Sequence, residues 1–558
     1  MPSWHQNLSA SVSDSDPDFD PAKCSDISLD TSSMLADVSP SDVSDVDPGP
    51  PPASRRRTAP AEDWVVPHRQ RPDIPLFTAN PGINIDVAGF TATQFLQVFL
   101  GDDLLGHIVA QTNLYAHQHC AAKPDSYLAR QQWTPLDVPE FLIFWALTML
   151  MGILKKPSIC SYWSSSPICS TPIYPQSMSH RRYENILRFM HFSDNSLCPP
   201  GEHPQFDRLY KIRPLITHFT ARFAEAYTPG RNICVDESLM KYKGSLGFKQ
   251  YIPSKRSRYR VKVYKLCDSV SGYTQAFRVY EEKDSSLDPP GCPEHMRTSG
   301  KIVWDLLFPL MNKGYHLYVD NFYTSVPLFK LLYCFDTVTC GTVRKNRIGF
   351  PAQLARTQLK RGETSALSQE ELLAVKYRDK DVYLLSTINS ERSVEVSVCG
   401  RAERIRKPVC IKAYNRYMGG VDLADQLLQP YQIMRKSRAW YKKVAIYLMQ
   451  IATHNAFLLC KKANPGVTLS FLQFQLQVIS GLLYQDAPAP RAVMGDRVGA
   501  IHFIFKLPPT KGQIETPIKM QGVFQEGAEE RHNLLLPRMP WTTRSVSWGL
   551  FQGVSHCA

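Results

Sequence analysis

The segments NICVDESLMKY (residues 232–242) and RVKVYKLCDSVSGYTQAFRVY (residues 260–280) alternate apolar and polar side chains, and the second contains the pair Ser271-Gly272. Alternation with a period of two predicts strands, and a Ser-Gly pair between two alternating runs predicts a hairpin. Four later runs, YHLYVDNF, FDTVTCGTV, VYLLST and VEVSV, predict further strands. The middle of the chain is therefore predicted to contain a β-sheet.

Helical periodicity lies on both sides of these strands. Apolar residues recur at intervals of three and four in much of 76–230, in 414–428 and in WYKKVAIYLMQIATHNAFLLC (residues 440–460). The longest apolar run, FLIFWALTMLMGIL (residues 141–154), has 14 residues, whereas a membrane span needs about 20. We therefore expect a buried core helix there and no membrane partner. Strands flanked by helices favour an α/β core inside a helical frame.

The formal net charge of +13 on 558 residues is unevenly distributed. Residues 1–50 hold ten Asp, no Glu and one Lys, so an acidic tail precedes a basic body. A basic body favours a polyanionic partner, most commonly nucleic acid, and a solvated basic surface is the alternative. The 14 Cys form no CxxC pair and the N-terminus lacks a secretory pattern. These features fit reduced thiols in the cytosol or nucleus.

Aspartates in three unlike settings are candidates for a catalytic site. Asp236 (in ICVDESLM) and Asp320 (in YHLYVDNFYTS) follow strand-like runs, whereas Asp422 and Asp425 (in YNRYMGGVDLADQL) share one face of a predicted helix. Carboxylates from separate elements suit magnesium-dependent phosphoryl transfer, because divalent ions neutralise the attacking and leaving oxygens. The alternative is an ordinary helix cap at Asp236 and a turn at Asp320.

Other chemistry has weaker support in the sequence. Further carboxylates are available: Glu237, Asp268 and Asp305. Asp268, beside the Ser-Gly turn, is expected to be a turn residue. The chain has no P-loop, GxSxG or HExxH motif. His117, His119 and Cys120 have metal-capable atoms, but no second pair accompanies them, so we expect no metal site there.

The segment 241–265, KYKGSLGFKQYIPSKRSRYRVKVYK, contains nine Lys or Arg, no acidic residue and several interleaved aromatic residues. Basic side chains can pair with phosphates, and aromatic faces can stack on bases. The alternative is an exposed strand protected by positive charge. The predicted DNA-binding residues here and in two later basic clusters are Lys241, Lys243, Lys249, Lys255, Arg256, Arg258, Arg260, Lys262, Arg344, Lys345, Arg347, Arg435, Lys436 and Arg438.

An ordered series of motifs resembles the piggyBac family of DNA transposases and their domesticated derivatives. The series is TNLYA (112–116), MGILKKPSICSYW (151–163), MSHRRYENILRFMHFSDN (178–195), ICVDESLMKYKG, LYVDNFYTS, GTVRKNRIGFP, YLLST, YNRYMGGVDLADQL and HNAF. It runs from about residue 77 to about residue 460. Any one of these motifs is weakly specific, whereas the ordered set over this length is highly specific.

The resemblance implies an α/β fold with an RNase H-like catalytic core, an insertion domain and a split helical domain for dimerisation and DNA binding. It implies a catalytic triad of Asp236, Asp320 and Asp422, with the metal held by these three residues and by Asp425, which lies at a further acidic position of the same motif. The implied cofactor is Mg²⁺ or Mn²⁺ and the implied partners are double-stranded DNA and a second copy of the chain. Members of the family cut DNA through hairpin intermediates and insert at TTAA sites, which implies a nuclear location.

Composition and the resemblance together predict the domain boundaries. They are a disordered acidic tail (1–75), a first helical segment (76–230), a first core segment (231–346), an insertion domain (347–408), a second core segment (409–430), a second helical segment (431–485) and a poorly ordered tail (486–558). Many family members end in a Cys/His-rich zinc module. Only Cys557 follows Cys460 here, so we expect no zinc site in the tail.

The sequence leaves three hypotheses about function. The first is a transposase-derived protein that binds DNA and retains the residues for strand cleavage and transfer, which the acidic set favours. The second is a domesticated, non-catalytic chromosomal DNA-binding protein, which the altered C-terminal region favours. The third is a basic scaffold with no role on DNA.

Overall fold

The computed structural model describes residues 64–67, 73–124, 133–253, 258–281, 287–379, 381–397, 404–433, 437 and 439–484. Almost all of the predicted acidic tail (1–75) and all of the predicted C-terminal tail (486–558) fall outside these residues. Five of the predicted DNA-binding residues also lie outside them: Lys255, Arg256, Arg435, Lys436 and Arg438.

A mixed sheet of nine strands occupies the middle of the fold. Its strands are β3 (Asn232–Lys241), β4 (Gln250–Tyr251), β5 (Tyr259–Asp268), β6 (Thr274–Val279), β7 (His316–Val319), β8 (Val338–Thr342), β9 (Thr364–Gln369), β10 (Leu372–Tyr377) and β11 (Val382–Ser386). Their order is β4-β5-β3-β7-β8-β11-β10-β9, with β6 paired to β5. Strands β3, β7 and β8 run parallel, and the other pairs run antiparallel.

Two short strand pairs and a set of helices complete the described elements. The pairs are β1 (Gly82–Ile83) with β2 (Tyr227–Thr228), and β12 (Ser393–Ser397) with β13 (Arg404–Pro408). The helices are α1 (Ala92–Gln97), α2 (Asp102–Ala122), α3 (Val138–Ile153), α4 (Ile173–Ser177), α5 (His180–Phe189), α6 (Arg213–Ala226), α7 (Thr298–Leu307), α8 (Val326–Tyr333), α9 (Ala352–Arg356), α10 (Val409–Tyr417), α11 (Gly420–Leu428), α12 (Trp440–Ala463) and α13 (Phe471–Leu483). This mixed α/β architecture confirms the coarse fold class that the alternating and helical patterns predicted.

The predicted hairpin around Ser271-Gly272 is present as β5 and β6. Gly272 adopts φ +76°, a conformation that a residue without Cβ reaches at little cost. Asp268 stabilises the turn, because its Oδ1 accepts hydrogen bonds from the backbone N–H groups of Val270 (2.9 Å) and Ser271 (2.8 Å). Asp268 is therefore a turn residue, as predicted.

Helix α3 contains the long apolar run and is a core helix, as predicted. Asp137 caps its N-terminus by accepting a hydrogen bond from the N–H of Glu140 at 2.8 Å. Its side chains from Phe141 to Met151 are buried almost without interruption, and it packs against α13. Among the helices of the described ranges, none combines the length and the apolar character that crossing a membrane requires.

The segment 347–408, which we predicted as an insertion domain, contributes to the central sheet. Strands β9, β10 and β11 all lie within it, and β11 pairs with β8 through Leu385 and Gly341. Leu384 and Leu385 are adjacent and both fully buried, so β11 is covered on both faces, as expected for an interior strand of the sheet. At least this part of 347–408 therefore extends the sheet and does not form a separate body, and the predicted domain boundaries stay a proposal.

The predicted helix over 414–428 is two helices, which is a correction to the sequence prediction. Helix α10 ends at Tyr417 and α11 begins at Gly420. Gly420 lies tightly against the sheet, since an added Cβ would come within 2.8 Å of both the backbone oxygen of Asp268 and Sγ of Cys234. This close approach of α11 to β3 and β5 requires a residue without a side chain. Helical periodicity alone does not report such a contact.

We expect Gly420→Ala to destabilise the protein by about 1–3 kcal/mol, because the added methyl group overpacks against backbone. Urea unfolding of the two proteins measures the difference. The matched control is Gly419→Ala, since no atom lies within 4 Å of an added Cβ there. That variant should lose less than about 1 kcal/mol, the usual effect at a helix N-cap. Equal losses in the two variants would contradict the close packing of α11.

Candidate active site

The parallel register of β3 and β7 places two of the predicted aspartates next to each other. Val235 on β3 pairs with Val319, the last residue of β7. The following residues are Asp236, on β3, and Asp320, directly after the end of β7, so these two lie side by side. Side chains alternate along a strand, so both carboxylates lie on the face that carries Cys234.

Helix α11 brings the third aspartate to the same face. Its first residue, Gly420, packs against Cys234, and the helix contacts β3 and β5. Asp422 lies in the first turn of α11 and is exposed. The structure thus gathers Asp236 from β3, Asp320 from the loop after β7 and Asp422 from α11. Their catalytic role remains a prediction.

Burial and mutual repulsion disfavour the charged forms of the two strand carboxylates. The pKa of Asp236 is raised from 3.8 to about 8, first by burial, then by the charge of Glu237, with contributions from Asp320 and Asp422. The pKa of Asp320 is raised to about 6, again first by burial and then by Glu237. The backbone N–H of Phe322, 2.9 Å from Asp320 Oδ1, opposes this second rise. The acidic groups therefore interact electrostatically as one cluster.

Two residues near this cluster were not assigned to the site from sequence. Glu237 lies on the opposite face of β3, where its Oε2 accepts a hydrogen bond from Tyr323 at 3.2 Å. Tyr414 of α10 hydrogen-bonds to Thr342 at 3.3 Å. Burial raises the pKa of Tyr414, and the charges of Asp320 and Asp236 add to the rise. The only sequence signal for Tyr414 is its place in the motif that contains Asp422.

Asp425 makes contacts that distinguish it from the other aspartates. Its Oδ1 lies 3.0 Å from Nζ of Lys265 on β5 and accepts a hydrogen bond from Ser238 on β3 at 2.8 Å. Lys265 is fully buried and Asp425 is partly exposed. One oxygen of Asp425 is therefore already engaged by two side chains of the sheet.

The basic residues of the Arg344–Arg347 cluster lie beside Asp320. Nε of Arg344 donates to Oδ1 of Asn321 at 3.2 Å. Arg347 donates to the backbone oxygens of Asn321 and, at 3.2 Å, Phe322. Lys345 is exposed. These contacts fix the loop that follows β7 and place positive charge next to the acidic cluster.

The basic residues around β5 form a second group. Lys241 pairs in register with Arg260, and Lys262 lies two residues further along the same face. The ammonium of Lys262 lies 5.1 Å from the Phe322 ring, close enough to oppose the rise in the pKa of Asp320. Of the other described members, Lys243 and Arg258 are exposed, and Nζ of Lys249 lies 5.1 Å from the centre of the Tyr259 ring.

The donor set suits a hard divalent cation in its chemistry. Asp236, Asp320 and Asp422 offer carboxylate oxygens, which Mg²⁺ and Mn²⁺ prefer. A cation would offset the repulsion that adds to burial in raising the pKa of Asp236. In the positions that the structure gives to the described residues, no three His, Cys, Asp or Glu side chains stand close enough together to hold an ion. His117, His119 and Cys120 likewise do not form such a group.

Comparison with known proteins identifies the chain's relatives. The family model described as Transposase IS4 matches residues 91–457. The human PiggyBac transposable element-derived protein 3 is 25% identical over 414 residues, which cover 72% of this chain and 66% of that protein. The human PiggyBac transposable element-derived protein 2 is 24% identical over 474 residues, covering 80% and 74%. The chain thus spans slightly less than two thirds of the length of the first relative.

A solved structure shares the fold. The piggyBac transposase in a synaptic complex with hairpin DNA superposes with a TM-score of 0.65 at 22% identity, covering 73% of this chain and 83% of that chain. The family model covers more than half of the chain, and its range includes all of the acidic residues that β3, β7 and α11 bring together. The chain therefore belongs to the IS4-type transposases and, among them, to the piggyBac family.

Proposed function

We propose that this protein binds double-stranded DNA and retains the capacity for metal-dependent DNA strand cleavage and transfer, with TTAA as its target sequence. Its core would be RNase H-like, and 76–230 with 431–485 would form a split helical domain for dimerisation and DNA binding. The protein would act as a homodimer in the nucleus. Its relationship to the piggyBac transposase and to the human piggyBac-derived proteins supports this proposal.

The observation that carries the proposal is the register of β3 and β7. Pairing of Val235 with Val319 puts Asp236 beside Asp320 on the face that α11 covers. Two partly buried carboxylates with raised pKa values are costly to the fold, because burial and the nearby charge of Glu237 disfavour their charged forms. Groups held at such a cost are typical of functional sites.

In this proposal Asp236, Asp320 and Asp422 hold the divalent cation. When bound, the cation would neutralise charge on the attacking and leaving oxygens of a phosphodiester. Arg344 and Arg347 contact the residues that follow Asp320, and Lys262 lies over the Phe322 ring. These three side chains would orient the DNA backbone through its phosphates.

Incubation of the full-length protein with supercoiled DNA that contains TTAA sites tests the proposal. We expect nicked or joined products with Mg²⁺ or Mn²⁺, and none after the metal is removed with EDTA. Adding Mn²⁺ in excess over EDTA should restore the products, because the loss of activity comes from removal of the cation and not from EDTA itself.

Binding without cleavage would refute the catalytic part of the proposal. A protein that retards TTAA-containing DNA in gel shifts, yet yields no product with either metal, would be the non-catalytic chromosomal DNA-binding protein. A protein that neither binds nor cleaves DNA would refute the proposal entirely.

A further inference from the structure

Lys265 is an unusual residue for the interior of a sheet. Its side chain is 0% exposed, although it lies on β5 directly opposite Asp236 in the β3–β5 register. Lysine is almost never fully buried unless it is paired, since taking its charge out of water is costly. The contacts of its ammonium group therefore indicate the structural role of this buried charge.

The charge of Lys265 is paired with the carboxylate of Asp425. Nζ lies 3.0 Å from Oδ1 of Asp425, and the hydroxyl of Ser238 donates to the same oxygen at 2.8 Å. The ring of Tyr447 on α12 lies 5.2 Å from Nζ. One carboxylate oxygen thus joins β3, β5 and α11 on one face of the sheet.

The position of Asp425 determines the position of Asp422. The two residues are three apart on α11, so they lie on neighbouring turns of one face. Gly420 fixes the start of the helix against Cys234, and the pair of Asp425 with Lys265 fixes it one turn later. These two points set both the height and the rotation of α11 over β3.

We propose that Asp425 is a positioning residue and not a metal ligand: its buried ion pair with Lys265 holds α11 where Asp422 can join Asp236 and Asp320. This inference deepens the proposed function and rests on it. An apolar pair would fill the same space at lower cost, but it would not select one rotation of the helix as a directional, hydrogen-bonded pair does.

Binding of Mn²⁺ to the full-length protein without DNA, measured by calorimetry, distinguishes the two roles of Asp425. If Asp425 is a positioning residue, Lys265→Met and Asp425→Asn should each weaken Mn²⁺ binding about 10- to 100-fold, as loss of a supporting partner does. The double variant should be no worse than either single variant, because both remove one interaction. Asp425→Glu should retain much of the affinity.

If Asp425 were a direct metal ligand, Lys265→Met would not weaken Mn²⁺ binding. Lys265→Met would free the carboxylate of Asp425, so Mn²⁺ binding would stay unchanged or become tighter, and that result would overturn the proposal. Unchanged Mn²⁺ affinity in Asp425→Asn as well would mean that the pair serves packing alone, which also overturns it.

Hydrogen exchange gives a readout that does not depend on metal binding or cleavage. The amides of α11 should exchange faster in Asp425→Asn and in Lys265→Met, because the second anchor of the helix is lost. Unchanged α11 exchange would overturn the proposal even if the wild-type protein bound no Mn²⁺, whereas faster exchange without Mn²⁺ binding would place the failure in the proposed function.

The matched control is Lys376→Met. Lys376 is also a buried lysine of the sheet, at 4% exposure, but its Nζ donates to the backbone oxygens of Thr357 (2.7 Å) and Ala355 (3.3 Å). It lies on β10, near the other edge of the sheet. Lys376→Met should leave both Mn²⁺ affinity and α11 exchange unchanged, even where it lowers thermal stability.

Discussion

Asp320→Asn should lower metal-dependent cleavage of TTAA-containing DNA by about 10³-fold or more, a typical loss when an essential catalytic group is removed. The amide keeps the shape of the side chain and can still accept the hydrogen bond from Phe322 N–H. It lacks the negative charge that a divalent cation requires. Single-turnover cleavage rates with Mg²⁺ and with Mn²⁺ measure the loss.

The same variant should be at least as stable as the wild-type protein, which separates loss of activity from loss of fold. The pKa of Asp320 is raised from 3.8 to about 6. The folded state therefore binds this proton more tightly than the unfolded state, so the charged form destabilises the fold as pH rises from about 4 to above 6. At pH 7 we expect Asp320→Asn to gain about 1–3 kcal/mol in unfolding free energy.

Asp305→Asn is the control for removal of a carboxylate. Asp305 lies on α7, where its Oδ2 pairs with Arg278 at 2.9 Å. Its replacement should leave the cleavage rate unchanged. Equal rates in wild-type protein and Asp320→Asn would remove Asp320 from the site, and a large loss in Asp305→Asn would show that the assay responds to folding.

Reversal of two charges at the start of β5, Arg258→Glu with Arg260→Glu, should weaken DNA binding about 10- to 100-fold at low salt. Each lost phosphate contact releases about one counterion fewer, so the slope of log affinity against log salt should become shallower by about 2. Arg260 pairs in register with Lys241, and Glu at that position suits this neighbour, so the strand should still form.

The control carries the same change in net charge at the far edge of the sheet. Arg361→Glu with Arg378→Glu replaces two exposed arginines beside β9 and β10, whose partners are Asp379 and Asp381. Strands β4 and β9 are the two ends of the strand order. If both double variants showed the same slope of log affinity against log salt, DNA affinity would depend only on the net charge of the protein. The predicted DNA-binding site at Arg258 and Arg260 would then be wrong.

Local patterns were sufficient to predict the hairpin and several of the strands of this chain. Alternation over residues 232–242 and 260–280 predicted β3, β5 and β6, and the Ser271-Gly272 pair predicted their turn. These features depend on residues a few positions apart, because pleating and turn geometry are properties of short segments. The break before Gly420 was missed, since the contact that requires it comes from β3 and β5.

The ordered motifs determined the family, and with it the set Asp236, Asp320 and Asp422. The sequence alone did not determine which strands neighbour one another. Pairing of Val235 with Val319 joins segments more than 80 residues apart, and the inclusion of β9, β10 and β11 in the sheet likewise depends on long-range hydrogen bonds.

The clearest difference between sequence and structure concerns the charged partners. The sequence placed Asp425 with the ligands and Lys265 with the DNA-binding segment, because charge and spacing were all that it offered. The tertiary structure paired the two across 160 residues and buried the lysine. A buried charge without a partner is costly, so the buried lysine requires one particular partner in one position. Burial is a property of the assembled sheet and helix, and no local sequence pattern reports it.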